Sequence, residues 1–313
     1  MKFAYFPGCT MKGTAADYEA SLRETLAHLD IELEELEDWN CCGASSAHMT
    51  DQAVDVGLTS RNLDLAQQSG HAVVVTPCPA CYLRLRHGDH ELRAHPERYG
   101  RESYAPRFEI KYLTSILAGD EMIAKIVARI RRPLTGFRLA AYYGCLSQRP
   151  PKITGARDHE HPTDLDRIIA ATGATPVRWS HKTECCGGSL TVARADIVRE
   201  LIRDITVAAK RGGAEAIVTD CAMCQANLES RQADLARTLA DFQPLPVYFA
   251  TEILAAALAG EGGATWAKGH LVDAGLLDEK LKAAPVRPVA AREPANASPP
   301  TPPAASRAQT STD

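Results

Sequence analysis

The sequence predicts an α/β protein of two homologous layered lobes, each with a mainly parallel sheet, related by internal duplication. Three observations carry this. First, the ten cysteines form one pattern written twice: Cys9, Cys41-Cys42-Gly43 and Cys78-x-x-Cys81, then Cys145, Cys185-Cys186-Gly187 and Cys221-x-x-Cys224. The gaps are 31 and 35 residues in the first copy and 39 and 34 in the second, and no cysteine is left over. Second, the flanking segments repeat: Ala4–Cys9 matches Ala140–Cys145, and Val74-Val75-Thr76 matches Ile217-Val218-Thr219. A period near half the ordered chain means two lobes and not a solenoid. Third, short apolar runs alternate with helical periodicity, the signature of a parallel α/β sheet.

Residues 2–7 read as a strand that places Cys9 in the loop after Pro7-Gly8. Tyr18, Leu22, Leu26 and Leu29 recur at helical spacing over 15–29. Ile31 and Leu33 alternate with glutamates, a second strand that delivers Cys41-Cys42. A helix over 51–69 ends at Gly70, and a buried-type strand at 72–76 stops at Pro77, before Cys78. A helix begins within Pro79–Cys81, followed by a strand at 108–112 and a helix at 113–131. Pro133–Gly136 is the expected joint.

The second copy predicts a strand at 138–142, a polar Pro- and His-rich loop from Pro150 to Pro162, and a helix at 164–172. A strand at Val177–Ser180, an amphipathic helix at 191–211, a strand at 217–219 and a helix after Cys221 come next. A strand at Val247–Phe249 and a helix at 251–259 complete it. The expected units are a first lobe at 1–133, a second at 134–260, a helical extension at 261–284 and a disordered Ala/Pro-rich tail at 285–313. Within the extension, 266–283 reads as a short helix carrying Leu276, Leu277 and Leu281.

All three cysteine groups of each lobe follow a predicted strand. In parallel sheets, ligands gather outside the carboxyl ends of the strands, so five thiols are expected on one rim of each sheet. The net charge of −4 and the lack of a strongly basic stretch speak against nucleic-acid binding. The apolar run Phe3–Phe6 is too short for a signal-peptide core, and no run suits a membrane span. A cytoplasmic protein with free thiols is expected.

Several thiol chemistries remain open from the residues alone. A structural zinc site closes with four ligands. A thioredoxin-like Cys-x-x-Cys pair leaves the other cysteines without a role. Iron–sulfur clusters take thiolates, usually four, and five per lobe suggest a spare ligand or a cluster larger or more open than a cubane. Arg84, Arg86, Arg149 and Lys152 follow cysteines in sequence, where they could meet an anionic substrate, but a solvated basic face is the favoured reading. His48 reads as a surface histidine, His159 and His161 as residues of a polar loop that could bind metal adventitiously, and Trp39 and Trp179, each before a Cys-Cys pair, as packing.

The motifs Phe6-Pro7-Gly8-Cys9, Asn40-Cys41-Cys42-Gly43, Tyr142-Tyr143-Gly144-Cys145 and Glu184-Cys185-Cys186-Gly187-Gly188 resemble the heterodisulfide reductase B-subunit family over about residues 3–258. The resemblance implies two noncubane [4Fe-4S] clusters. Cys9, Cys41, Cys42, Cys78 and Cys81 would hold one, and Cys145, Cys185, Cys186, Cys221 and Cys224 the other. It implies an oxidoreductase acting on a sulfur group: a disulfide is reduced between the clusters, or thiols are oxidised in reverse. The implied partners are the C-type subunit of such complexes, with cubane [4Fe-4S] clusters, and the A-type flavoprotein subunit. The chain carries no ferredoxin-type cysteine run of its own, and its Ala/Pro-rich tail points to a bacterial heterodisulfide-reductase-like complex of sulfur metabolism, with lipoate as a candidate thiol carrier. A non-catalytic electron-transfer or assembly subunit is the competing reading. An open site between the lobes favours catalysis, and enclosed sites favour the alternative.

Overall fold

The computed structural model describes residues 1–44, 46–260 and 269–288. The first sheet is built from β1 (Lys2–Tyr5), β2 (Glu32–Glu35), β3 (Val73–Thr76) and β4 (Glu109–Tyr112), in the order β2-β1-β3-β4. The second is built from β5 (Arg138–Tyr142), β6 (Thr175–Pro176), β7 (Ala216–Thr219) and β8 (Val247–Phe249), in the order β6-β5-β7-β8. Every pairing is parallel, and the strand order is the same twice.

The helices of the first half are α1 (Ala16–His28), α2 (Ala47–Thr50), α3 (Gln52–Gln68), α4 (Pro79–Ala94), α5 (Leu113–Leu117) and α6 (Asp120–Arg129). Those of the second are α7 (Pro151–Thr154), α8 (Asp164–Ala171), α9 (Ala195–Arg211), α10 (Ala222–Thr238), α11 (Ala250–Ala259) and α12 (Leu276–Ala283). Central parallel strands are buried on both faces, so the side chains of β5 after Arg138 and of β7 are buried without a break, whereas the edge strands β2 and β4 alternate. Leu139, Ala140, Ala141 and Tyr142 are all fully buried. Leu139 and Ala141 face the core shared by the lobes, while Ala140 and Tyr142 face α9 and α10. On the first sheet α3 and α4 cover the outer face through Val56, Leu63, Leu85 and Leu92.

The lobes meet through exchanged helices. Helix α1 packs on α11, where Tyr18 stacks on Phe249 with ring centroids 4.2 Å apart. Ser21 Oγ lies 2.7 Å from Thr251 Oγ1, and Thr25 Oγ1 donates to the Thr251 carbonyl at 2.9 Å. In the reciprocal contact α8 packs on α5 and α6. Each buried Leu or Ile here contributes about 1.5–3 kcal/mol. One core therefore serves both lobes and fixes their rims against each other.

Four local expectations are corrected. The expected strand at Val177–Ser180 is instead Thr175–Pro176. The Val177 amide still bonds Leu139 O, but the Trp179 indole Nε1 donates to Ala141 O at 3.1 Å, where the next strand amide would have bonded. The helix expected at 113–131 breaks at Gly119, whose extended backbone separates α5 from α6. The helix expected from 191 starts at Ala195, after a 3₁₀ turn at Gly188–Leu190. Of the helix expected at 266–283, the described residues form an α-helix over Leu276–Ala283, and residues 266–268 lie outside the described ones. The expected disorder from 285 falls, from 289 onward, outside the described residues, and the Arg287 amide donates to Arg131 O at 2.7 Å.

Candidate functional site

The three cysteine loops of each lobe leave the carboxyl ends of neighbouring strands. Cys9 follows β1, Cys41-Cys42 follows β2 and Cys78 follows β3; Cys145, Cys185-Cys186 and Cys221 follow β5, β6 and β7 in the same way. Cys78 and Cys221 are the residues from which α4 and α10 start, so free backbone amides and the helix dipole face their sulfurs. Cys221 Sγ accepts from the Cys224 amide at 3.3 Å.

The sulfurs come together in the same way twice. Cys42 Sγ lies 3.3 Å from Cys81 Sγ, and Cys186 Sγ lies 3.5 Å from Cys224 Sγ. Cys145 Sγ lies 3.8 Å from Cys185 Sγ. The Gly43 and Gly187 amides point to Cys41 Sγ and Cys185 Sγ at 3.5 and 3.3 Å. In each lobe the second cysteine of the pair and both of Cys-x-x-Cys are buried, and the first of the pair is exposed; Cys9 is exposed and Cys145 half-buried. Gly8 and Gly144 precede the lone cysteines with φ of +75° and +63°. A Cβ there would meet Cys81 Sγ at 2.6 Å and Cys224 Sγ at 3.1 Å, so the backbone passes against the sulfurs where only glycine fits.

These contacts favour the thiolate at Cys42, Cys78 and Cys185 and the neutral thiol at Cys41, Cys81, Cys145, Cys186 and Cys224. The thiol of Cys42 is pulled down by the hydrogen bond from Cys41 and then by that from Cys81. Cys185 is pulled down by Cys145 and then by Cys186. Cys81 and Cys224 are pushed up, first by their hydrogen bonds with Cys42 and Cys186. Among the described residues, no group of three Cys, His, Asp or Glu side chains closes on a single ion. Each lobe instead supplies five sulfur donors, one more than a closed zinc site holds, and of the donor type that iron–sulfur clusters take. In donor number and softness, the residues fit a thiolate-held cluster.

A cleft of about 190 Å³ lies between the lobes at this rim. Cys145, Cys185, Cys186, Cys221 and Cys224 all line it. The first lobe contributes Pro79 and Ala80, the residues between Cys78 and Cys81, and Ala44, His48, Leu83 and Arg84. The first lobe's own cysteines are not among its lining residues. Leu83, Leu146 and Met223 make the cleft mainly apolar. A larger cavity of about 550 Å³ lies across Tyr143, lined by Asp220, Asp164 and Arg157 among others and by no cysteine.

The other sequence candidates sort themselves. Arg149 makes a two-pronged pair with Glu160 at 2.9 Å, and Lys152 is exposed, so neither meets the cleft. Arg86 is half-buried, and its Nε donates to Ile153 O of the other lobe at 3.0 Å. Arg84, expected on a solvated face, is mostly buried and lines the cleft. His48 is exposed at the cleft, and His159 pairs with Glu160 at 3.3 Å. His161 is exposed at the larger cavity. Trp39 packs edge-on against Phe6 and Trp179 against Tyr142, as packing residues do. Leu146 and Met223 escaped the sequence reading, although Met223 lies inside the second Cys-x-x-Cys.

The family model described as a cysteine-rich domain, CCG, matches residues 3–86 and 139–229. The 8-methylmenaquinol:fumarate reductase membrane anchor subunit of Wolinella succinogenes is 30% identical over 82% of this chain and 92% of that protein. The B subunit of the ferredoxin:CoB-CoM heterodisulfide reductase of Methanosarcina mazei is 27% identical over 82% and 89%. A protein of Archaeoglobus profundus, named for its likeness to the heterodisulfide reductase B subunit, is 25% identical over 82% and 90%. Among solved structures, a hypothetical protein from Helicobacter pylori shares the fold with a TM-score of 0.64 at 13% identity, covering 85% of this chain and 50% of that one.

Proposed function

The chain belongs to the cysteine-rich CCG-domain family that includes the B subunit of heterodisulfide reductase, and on that premise we propose that it is the disulfide-active, iron–sulfur subunit of a multi-subunit oxidoreductase. Cys9, Cys41, Cys42, Cys78 and Cys81 would hold one noncubane [4Fe-4S] cluster, and Cys145, Cys185, Cys186, Cys221 and Cys224 a second. Such clusters supply one electron at a time. The overall conversion is R–S–S–R plus two electrons and two protons to two R–SH, and thiol oxidation is its reverse. The electrons come from, or go to, a partner with cubane clusters and a flavoprotein subunit. Ten thiols outside any disulfide suit a reducing compartment such as the cytoplasm.

The observation that carries the reading is the cleft. It brings all five cysteines of one lobe, and the turn between Cys78 and Cys81 of the other, to one apolar space between the lobes. Leu83, Leu146 and Met223 limit water there, and the Gly187 amide holds the Cys185 sulfur toward it. An enclosed electron relay needs no such opening. The Wolinella relative is named for a membrane anchor, whereas no helix among the described residues here is long and apolar enough to cross a membrane.

The test is anaerobic purification with iron, acid-labile sulfide and zinc measured per chain, and EPR before and after adding a disulfide. The expected result is about eight iron and eight sulfide, from two four-iron clusters, and a signal that the disulfide perturbs. Zinc without sulfide refutes the cluster reading. Full clusters that no disulfide or thiol perturbs leave the electron-relay role instead.

A further inference from the structure

The duplication supplies an internal control for the cleft. Cys78 and Cys81 correspond to Cys221 and Cys224, so Arg84, three residues on, corresponds to Asn227. Helices α3 and α9 are both 17 residues long, and their fourth residues are Asp55 and Val198. The second lobe closes this position on itself. Asn227 Nδ2 donates to Cys186 O at 2.6 Å, and its Oδ1 accepts from Thr191 Oγ1 at 2.7 Å. The first lobe puts a charged pair there. Arg84 Nη1 donates to Asp55 Oδ2 at 3.2 Å, with side-chain exposures of 15% and 4%. His87 Nδ1 lies 3.4 Å from the same oxygen.

We infer that Arg84, held in place by Asp55, is the recognition group for an anionic head on the disulfide or thiol that enters the cleft. This rests on the reading of the cleft as the site of disulfide chemistry. A guanidinium carries five N–H donors in a rigid fork, and Asp55 takes one edge. Arg84 lines the cleft together with the five cysteines of the second lobe. Among the described lining residues, Arg84 is the only permanent cation, and no carboxylate is present. Between the two ends lie Leu83, Leu146 and Met223, which suit an aliphatic stem. The substrate class is therefore a sulfur compound with an apolar chain and a terminal acid, carboxylate or sulfonate. An amide-linked carrier, whose head is neutral, fits less well.

The test uses the anaerobic, cluster-loaded protein and two probes with the same disulfide: lipoate, which is anionic, and lipoamide, which is neutral. The readout is the concentration that half-perturbs the EPR signal. Wild type should respond to lipoate at a concentration on the order of tenfold lower than to lipoamide, the size of one charge-assisted contact. Added salt should erode the lipoate response and leave that of lipoamide unchanged. Arg84→Gln should bring the two probes within about twofold, by raising the half-point for lipoate more than that for lipoamide. Arg84→Lys, which keeps the charge, should fall between. The symmetrical disulfides of 3-mercaptopropionate and 3-mercaptopropanesulfonate, matched in stem and charge, tell the acids apart: the lower half-point assigns the head. Equal responses to lipoate and lipoamide in wild type, or a preference that survives Arg84→Gln, overturn the inference and leave the proposed function standing. No response to any disulfide or thiol overturns both.

Discussion

His270→Ala should destabilise the protein severely, through a site remote from the cysteines. The His270 side chain is 2% exposed and sits between Glu229 of α10 and Glu252 of α11, themselves 1% and 0% exposed. Nδ1 lies 2.6 Å from Glu229 Oε1 and Nε2 3.1 Å from Glu252 Oε1. The clamp holds residues 269–288 on the second lobe, where the Leu277 amide also donates to Tyr248 Oη and the Arg132 guanidinium to Leu281 O. Burial alone would lower the imidazole, but hydrogen bonds and charge from Glu229 and Glu252 win and raise it from 6.5 to about 10. A raised folded-state value stabilises fully below the unfolded value of about 6.5 and is lost as pH climbs through about 10. That shift sets a ceiling of about 5 kcal/mol, reduced because burial also pushes Glu252 up. Removing the imidazole leaves two buried carboxylates without their partner, a cost of about 3–5 kcal/mol. At about 2–4 °C per kcal/mol, the melting temperature at pH 7 should fall by about 6–20 °C. Circular dichroism melts of the anaerobic protein measure this, and Glu229→Gln with Glu252→Gln in the same background should recover part of it. Wild type should lose stability between about pH 6.5 and 10 more steeply than His270→Ala. Unchanged melting at pH 7, or parallel alkaline losses, would refute the reasoning.

The cysteine sets predict separable metal loss: Cys81→Ala and Cys224→Ala should each lower iron per chain by about half, from opposite lobes, and their combination should remove nearly all. Gly8→Ala should lose the first lobe's iron, because its Cβ falls 2.6 Å from Cys81 Sγ, while Gly70→Ala, with φ of +72° but open space, should keep its iron and lose only about 1–2 kcal/mol of stability. Ile253→Ala, fully buried in the core shared by the lobes, should cost about 2–5 kcal/mol and lower the melting of both lobes together, which tryptophans on either side (Trp39 and Trp179) report by fluorescence.

The duplication is legible because thiol chemistry constrains it: all ten cysteines recur in order, and each group follows a strand. What escaped is decided by single tertiary contacts. Val177–Ser180 reads as a strand, but the Trp179 indole takes the Ala141 carbonyl that the strand would have used. Residues 113–131 read as one helix, but Gly119 takes up extended backbone between two. The cleft escaped for a different reason. The two cysteine copies read alike, yet only the second presents its sulfurs to the cleft, because the approach of the lobes depends on helices α1, α5, α8 and α11 far from any cysteine. Arg84 looked like one more solvated arginine because its partner Asp55 is 29 residues away in sequence. Setting the copies side by side makes it visible. Residues needed to gather five thiols are retained in both lobes, Gly8 with Gly144 and Gly43 with Gly187 among them. Asp55 and Arg84 have no such counterpart. A charge pair that folding and thiol clustering do without in one lobe is, in the other, the part of the site that is free to answer to a ligand.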